Sequence, residues 1–286
     1  MDKIIELIRE GKTYQAVEQV NPIIRKMKRQ NKINEAMELM IKLAIELLAI
    51  GEYHNSSVCA LRSIEMFPSD ATSIRIYLKK LFFKFLKTAV PECICNEFYQ
   101  YCQNLIYLFS KKQVKILRIQ ARLADAANDF INAQKSYIHI ISLCNNIDDC
   151  SDIVTDLMSL LWKWIVYEKV DVEKMKETAQ FTIARCLLIL ASIENNGLMV
   201  ASFILNNIFE KTPDELKDKK IEELPLIHFC NLYFKALSFQ SKEGIDYLME
   251  KYGPIIEIDQ DIINFANKSK YANGFKKPKG IFDFLS

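Results

Sequence analysis

Small apolar residues recur in this chain where two helices would have to touch, and the stretch from Leu117 to Ile140 shows it most clearly. Leu117, Ala121 and Ala124 fall at helical spacing, Asn128 breaks the pattern, and Phe130, Ala133, Tyr137 and Ile140 resume it. Alanine at a crossing point lets two backbones approach while larger residues fill the groove beside it. This is the tetratricopeptide grammar of helix, tight turn and helix. Such pairs bury their apolar faces only by stacking on neighbours, which builds a solenoid. The spacing therefore predicts an all-α chain, a right-handed α-solenoid of tetratricopeptide-like antiparallel helix pairs, with a surface suited to holding other proteins.

Seven glycines and seven prolines in 286 residues leave room for few and short turns, so helices should dominate. Hydrophobic residues at 50% and charged residues at 26% supply a continuous core and carry no signature of disorder. A net charge of +2 argues against a general nucleic-acid binder, which carries a concentrated basic field. Eight cysteines scattered through helical segments read as reduced thiols of a cytosolic protein. Met1–Glu6 opens directly into an amphipathic pattern, so no signal peptide is expected. No apolar run is long enough to span a bilayer, and Cys186–Ala191 reads as a buried helix segment, so no direct membrane insertion is expected.

No second composition regime interrupts the chain. Residues 1–286 read as one solenoid domain with an N-terminal half, 1–147, and a C-terminal half, 148–286, separated by a change in repeat regularity near Cys144–Ser151. Met40, Ala44, Gly51, Tyr53, Ser56 and Pro68 fit a second repeat, with Ser56, Ala60 and Ser63 on one small-residue face of a helix over Ser56–Phe67. Thr72–Thr88 is expected to pair with Cys95–Phe109. Lys211–Glu223 reads as a charged loop, and the residues from Asn273 onward as less ordered.

Candidate chemistry is sparse. His54, His139 and His228 stand far apart with no metal-ligand spacing, and Cys93-Ile94-Cys95 with Cys102 lacks the two-residue spacing and second pair of a zinc site. There is no glycine-rich phosphate cradle and no nucleophile elbow. The expectation is no catalytic residue, no cofactor and no metal. Two basic clusters, Arg25, Lys26, Lys28, Arg29 and Lys32, then Lys268, Lys270, Lys276, Lys277 and Lys279, are either solvated faces or docking surfaces for an acidic partner. Leu224–Leu237 carries apolar residues over more than one helical stripe. That pattern fits a helix buried on both sides by its own chain, or an apolar groove filled by a partner.

Several segments, in order along the chain, resemble the Golgi-to-ER traffic protein 4 family, the helical scaffold of the tail-anchored-protein targeting pathway. Gly11-Lys12-Thr13-Tyr14-Gln15-Ala16-Val17-Glu18-Gln19 resembles the family's opening helix, and Glu35-Ala36-Met37-Glu38-Leu39-Met40 with Ala44 and Gly51 resembles the next. Asp156 through Trp164 resembles its Leu-Trp-x-Trp stretch, Pro225-Leu226-Ile227-His228-Phe229 the start of a late helix, and Gly280–Leu285 its short apolar tail.

The resemblance implies a non-catalytic cytosolic adaptor that bridges a targeting ATPase and a ubiquitin-like, chaperone-linked partner. The ATPase would dock on the N-terminal half through Tyr14, Gln15, Glu18, Lys26 and Arg29. The ubiquitin-like protein would be held in the C-terminal half by Pro225, Leu226, Phe229, Tyr233 and Phe234. Thr13 stands where the family usually has tyrosine, and Ser57 where an ATPase-regulating acid is common, so tethering is implied more firmly than regulation. A tetratricopeptide-like scaffold of a proteasome-lid or coat assembly is the alternative of the same class, and an RNA-binding helical repeat that of another class.

Overall fold

The computed structural model describes residues 2–67, 76–167, 171–194 and 196–275. Pro68 of the second repeat, residues 72–75 of the expected Thr72–Thr88 segment, Lys276, Lys277 and Lys279 of the second basic cluster, and the Gly280–Leu285 tail lie outside the described residues. The described chain is helical throughout, and no strand occurs among the described residues. It divides into two compact units, Met1–Ser136 and Tyr137–Ser286, and the division falls inside one helix.

The first unit contains α1 (Asp2–Arg9), α2 (Thr13–Arg29), α3 (Ile33–Ala49), α4 (Tyr53–Glu65), α5 (Ile76–Thr88), α6 (Asn96–Leu108) and α7 (Gln113–Ala126), and the start of α8 (Phe130–Ser142). The expected helix over Ser56–Phe67 begins a turn earlier, at Tyr53, with Asn55 Nδ2 donating to the Glu52 carboxylate at 3.0 Å across its first turn. Packing follows the small residues. Ser56, Ser57, Ala60 and Ser63 are all buried on α4, and the Ser56 hydroxyl donates to the Ala44 carbonyl of α3 at 2.8 Å. The other side of α4 lies along α6. α5 and α6 meet at an edge-to-face contact of Phe85 and Tyr101, 5.2 Å between ring centres, and the Tyr101 hydroxyl donates to the Phe82 carbonyl at 2.9 Å. At α7 and α8, Ala121, Ala124 and Ala133 are buried as the opening pattern predicts, and Gln120 Nε2 donates to the Ser136 hydroxyl at 3.0 Å.

One local device ends several of these helices. The second residue past the helix takes a positive φ, and the following N–H reaches back to a carbonyl of the last turn, as in a Schellman cap. At Gly11 (φ 75°), Asn31 (φ 56°), Gly51 (φ 85°) and Asn128 (φ 60°), the next residue's N–H bonds the carbonyls of Leu7, Met27, Leu47 and Ala124. Gln240 and Gly274 repeat the arrangement, through Ser241 to Ala236 and Phe275 to Lys270. Two asparagines and a glutamine thus stand where glycine would be least strained, which is how the chain makes many turns with seven glycines.

The second unit holds the rest of α8 and α9 (Ser151–Tyr167), α10 (Val172–Ala191), α11 (Gly197–Asn207), α12 (Pro225–Ser238), α13 (Lys242–Lys251), the short α14 (Gly253–Ile256) and α15 (Gln260–Ala272). Its centre is α10, packed against α9, α11, α12 and α15. Asn273 Nδ2 donates to the Ala191 carbonyl at 2.9 Å, and Arg185 pairs with the buried Asp259 carboxylate. Trp162 Nε1 donates to the Ile208 carbonyl at 2.9 Å. Gly197 starts α11 so close to α10 that an added Cβ would stand 2.2 Å from the Leu190 carbonyl oxygen.

Lys211–Glu223 is not an open charged loop. It folds into 3-10 turns over Asp214–Lys219 and Ile221–Glu223, because Leu216 and Ile221 point inward and are fully buried while the charges between them face solvent. No helix among the described residues is long and apolar enough to cross a membrane.

Candidate partner-binding surfaces

α2 is built for one-sided burial. Ala16, Val20 and Ile24, four residues apart, form its buried stripe. Tyr14, Gln15, Glu18, Pro22, Arg25, Lys26 and Arg29 are exposed. At 100° per residue these fall within one sector opposite that stripe. The five residues expected on the ATPase side therefore share one solvent-facing surface. Tyr14 is 77% exposed, a large aromatic that its own chain leaves uncovered. Pro22 sits inside the helix without ending it. Lacking an N–H, it leaves the Glu18 carbonyl without its helical donor on that same face. Lys26, Lys28 and Arg29 crowd the last turn, where their charge favours the helix C-terminus.

The positive surface continues into a cleft of about 390 Å³ between α2, α3 and α4, lined by Asn21, Ile24, Arg25, Lys28, Met40, Arg62, Glu65 and Met66. Among the described residues, neither Arg25, Lys26, Lys28 nor Arg29 forms an ion pair with a carboxylate. Glu65 is the single acid among the described residues of the cleft wall. The arrangement can attract an acidic surface and present an aromatic anchor to it.

The two positions that depart from the family pattern have structural roles. The Thr13 hydroxyl donates to the Glu52 carboxylate at 3.4 Å, joining the start of α2 to the start of α4. Ser57 is fully buried, and its hydroxyl donates to the Cys93 carbonyl at 3.1 Å. It belongs to the core between α4 and the Pro91–Cys93 turn.

The C-terminal surface differs from the expectation. Leu226, Phe229, Tyr233 and Phe234 are buried, and of the five residues expected to hold the ubiquitin-like partner only Pro225 is exposed. The reason is that α12 is packed by four other helices of its own chain, α10, α11, α13 and α14. Phe229 stacks on Tyr233 at 5.1 Å and tilts against Tyr252 at 5.6 Å. Burial pushes the Tyr233 phenol up to about 12. These side chains form a core and, among the described residues, leave no open apolar groove along α12. What α12 offers to solvent is a narrow polar edge, Pro225, His228, Asn231 and Lys235, with Phe239 at its C-terminal end and Tyr247 on α13 exposed nearby in sequence.

No family model matches this chain, and no curated protein matches it. Among solved structures, the chain is similar to a crystal structure of C. therm. Get4. The likeness covers 100% of this chain and 92% of that one, with a TM-score of 0.63 and 14% sequence identity. The Get4 structure is an α-solenoid, and Get4 is the protein of the family that the residue pattern resembles. The chain has the all-helical fold of Get4.

Proposed function

We propose that this protein is a non-catalytic, cytosolic adaptor of tail-anchored-protein targeting, a scaffold that brings a targeting ATPase and a ubiquitin-like, chaperone-linked partner onto one chain. The observation that carries the reading is the likeness to Get4 over the whole chain, which agrees with the order of motifs in the sequence. Two partners held on one scaffold meet at a raised effective concentration, so no chemistry by the scaffold is needed.

The ATPase contact is assigned to the exposed face of α2, with Tyr14 as anchor and Arg25, Lys26 and Arg29 as the charges that steer an acidic partner. The ubiquitin-like contact is assigned to the exposed edge of α12 beginning at Pro225. The buried Leu226, Phe229, Tyr233 and Phe234 set the shape of that edge without touching the partner.

The test is a pull-down of the purified targeting ATPase, with and without an ATP analogue, by the immobilised full chain. Nucleotide-dependent retention that Tyr14→Ala weakens is expected. Absence of retention, together with salt-sensitive binding of RNA, overturns the adaptor reading in favour of a helical repeat that binds nucleic acid.

A further inference from the structure

His54 lies in the first turn of α4, Cys95 immediately precedes α6, and Glu97 lies in the first turn of α6. One donor atom from each, an imidazole nitrogen, the thiol sulfur and a carboxylate oxygen, lie within 4.8 Å of one another. His54 is exposed, while Cys95 and Glu97 are half-buried, so the cluster opens to solvent on one side and rests on protein on the other.

The backbone that presents the three groups is well fixed. α4 packs along α6, and Ser57, one turn beyond His54, is bonded to the Cys93 carbonyl. The Pro91–Cys93 turn is closed by bonds from Cys93 N–H to the Val90 carbonyl and from Ile94 N–H to the Pro91 carbonyl. From there the chain runs extended, with Cys95 at φ −156° and ψ 173°, before α6 begins. Residues two apart thus part company. Cys93 is buried in the core, whereas Cys95 reaches the surface beside His54.

We propose that His54, Cys95 and Glu97 bind a zinc ion, with water in the fourth position. A thiolate together with an imidazole excludes calcium and magnesium, which take oxygen ligands, and suits zinc. Zinc bonds of about 2.0–2.3 Å put tetrahedral donors about 3.5 Å apart. From within 4.8 Å of one another the donor atoms need close by no more than about 1.3 Å to reach that spacing. Binding replaces the proton of the Cys95 thiol with the metal–sulfur bond and releases that proton to solvent. The ion then ties the start of α4 to the start of α6 and leaves its fourth position open to solvent.

The full-length protein, stripped with chelator and kept reduced, is titrated with Co²⁺ and then with Zn²⁺. The expected result is one equivalent of Co²⁺ giving a thiolate-to-cobalt charge-transfer band that Zn²⁺ abolishes, and a higher thermal midpoint when Zn²⁺ is added. Cys95→Ser should remove the band. His54→Gln, a change at an exposed position, and Glu97→Gln should each weaken Zn²⁺ affinity about tenfold or more. Cys144→Ser, at the other half-buried thiol, should change nothing. Absence of the band in the wild-type protein, its loss in Cys144→Ser, or wild-type affinity in any one of the three ligand variants overturns the site.

Discussion

The Tyr233 hydroxyl donates a 2.6 Å hydrogen bond to the Ala266 carbonyl, fastening α12 to α15 across the interior of the second unit. The Ser269 hydroxyl donates to the same carbonyl at 2.8 Å. Tyr233→Phe keeps the ring and its stacking on Phe229, and Ala266 keeps one side-chain donor. The expected cost is therefore that of a single buried hydrogen bond, about 1 kcal/mol, read as a lower urea midpoint with an unchanged slope.

Phe229→Asp distinguishes a core from a binding groove. The ring is fully buried between Tyr233 and Tyr252. A carboxylate there loses the packing of a phenylalanine and gains an unpaired charge, roughly 3–5 kcal/mol or more. The expected outcome is a large drop in thermal midpoint and loss of the ubiquitin-like contact as part of general unfolding. A variant that keeps its midpoint while losing that partner would restore the groove.

Two glycine substitutions should fail for different reasons. Gly11 has φ 75° and nothing within 4 Å of an added Cβ, so Gly11→Ala costs only the strained backbone, about 1 kcal/mol, and Gly11→Asn costs less. Gly197 has no such φ, but its Cβ would meet the Leu190 carbonyl oxygen at 2.2 Å. Gly197→Ala should force α11 off α10 at a cost of about 1–3 kcal/mol, and asparagine should be no better. Chemical denaturation of the four variants checks both.

Alkaline pH should destabilise the fold before neutral chemistry does. Burial pushes the Cys59 thiol from 9.0 up to about 11 and the Cys150 thiol from 9.0 up to about 12. The Tyr233 phenol rises from 10.0 to about 12 for the same reason. The folded state keeps these groups protonated where the unfolded chain would ionise. Their contribution is complete below pH 9 and is lost as pH rises from 9 towards 12. Unfolding free energies at pH 7.5, 9 and 10.5 should be flat over the first interval and fall over the second.

Reversing charge on α2 should change association kinetics far more than stability. Arg25→Glu with Arg29→Glu alters two exposed residues, and placing an acid in the last turn of α2 should lower stability by only about 1 kcal/mol. Association with the targeting ATPase should slow about tenfold or more at low salt, and the gap should narrow at high salt. Stopped-flow association at two ionic strengths measures it.

The helices were legible because their signals are local: the four-residue spacing of Ala16, Val20 and Ile24, the small face of Ser56, Ala60 and Ser63, and breaks at Gly11, Gly51 and Asn128. The exposed face of α2 was legible for the same reason. The environment of α12 was not. An apolar surplus on Leu226, Phe229, Tyr233 and Phe234 looks alike whether a partner or the chain's own α10 and α13–α15 covers it, and those neighbours come from distant sequence. Leu216 and Ile221 were hidden among charges because a 3-10 turn does not follow the helical period. The cluster of His54, Cys95 and Glu97 escaped a reading of ligand spacing because its members come from two helices and meet only when α4 lies along α6.

The self-contained turns at Gly11, Asn31, Gly51 and Asn128 have a consequence for synthesis. Each draws its hydrogen bonds from the helix just completed, so the first unit can settle hairpin by hairpin as it leaves the ribosome, with contacts of short range in the chain. The second unit has no such freedom. Its central α10 is held at Ala191 by Asn273 and at Arg185 by Asp259, so it stays open until α15 has emerged, and a chain truncated before α15 should be degraded from that end.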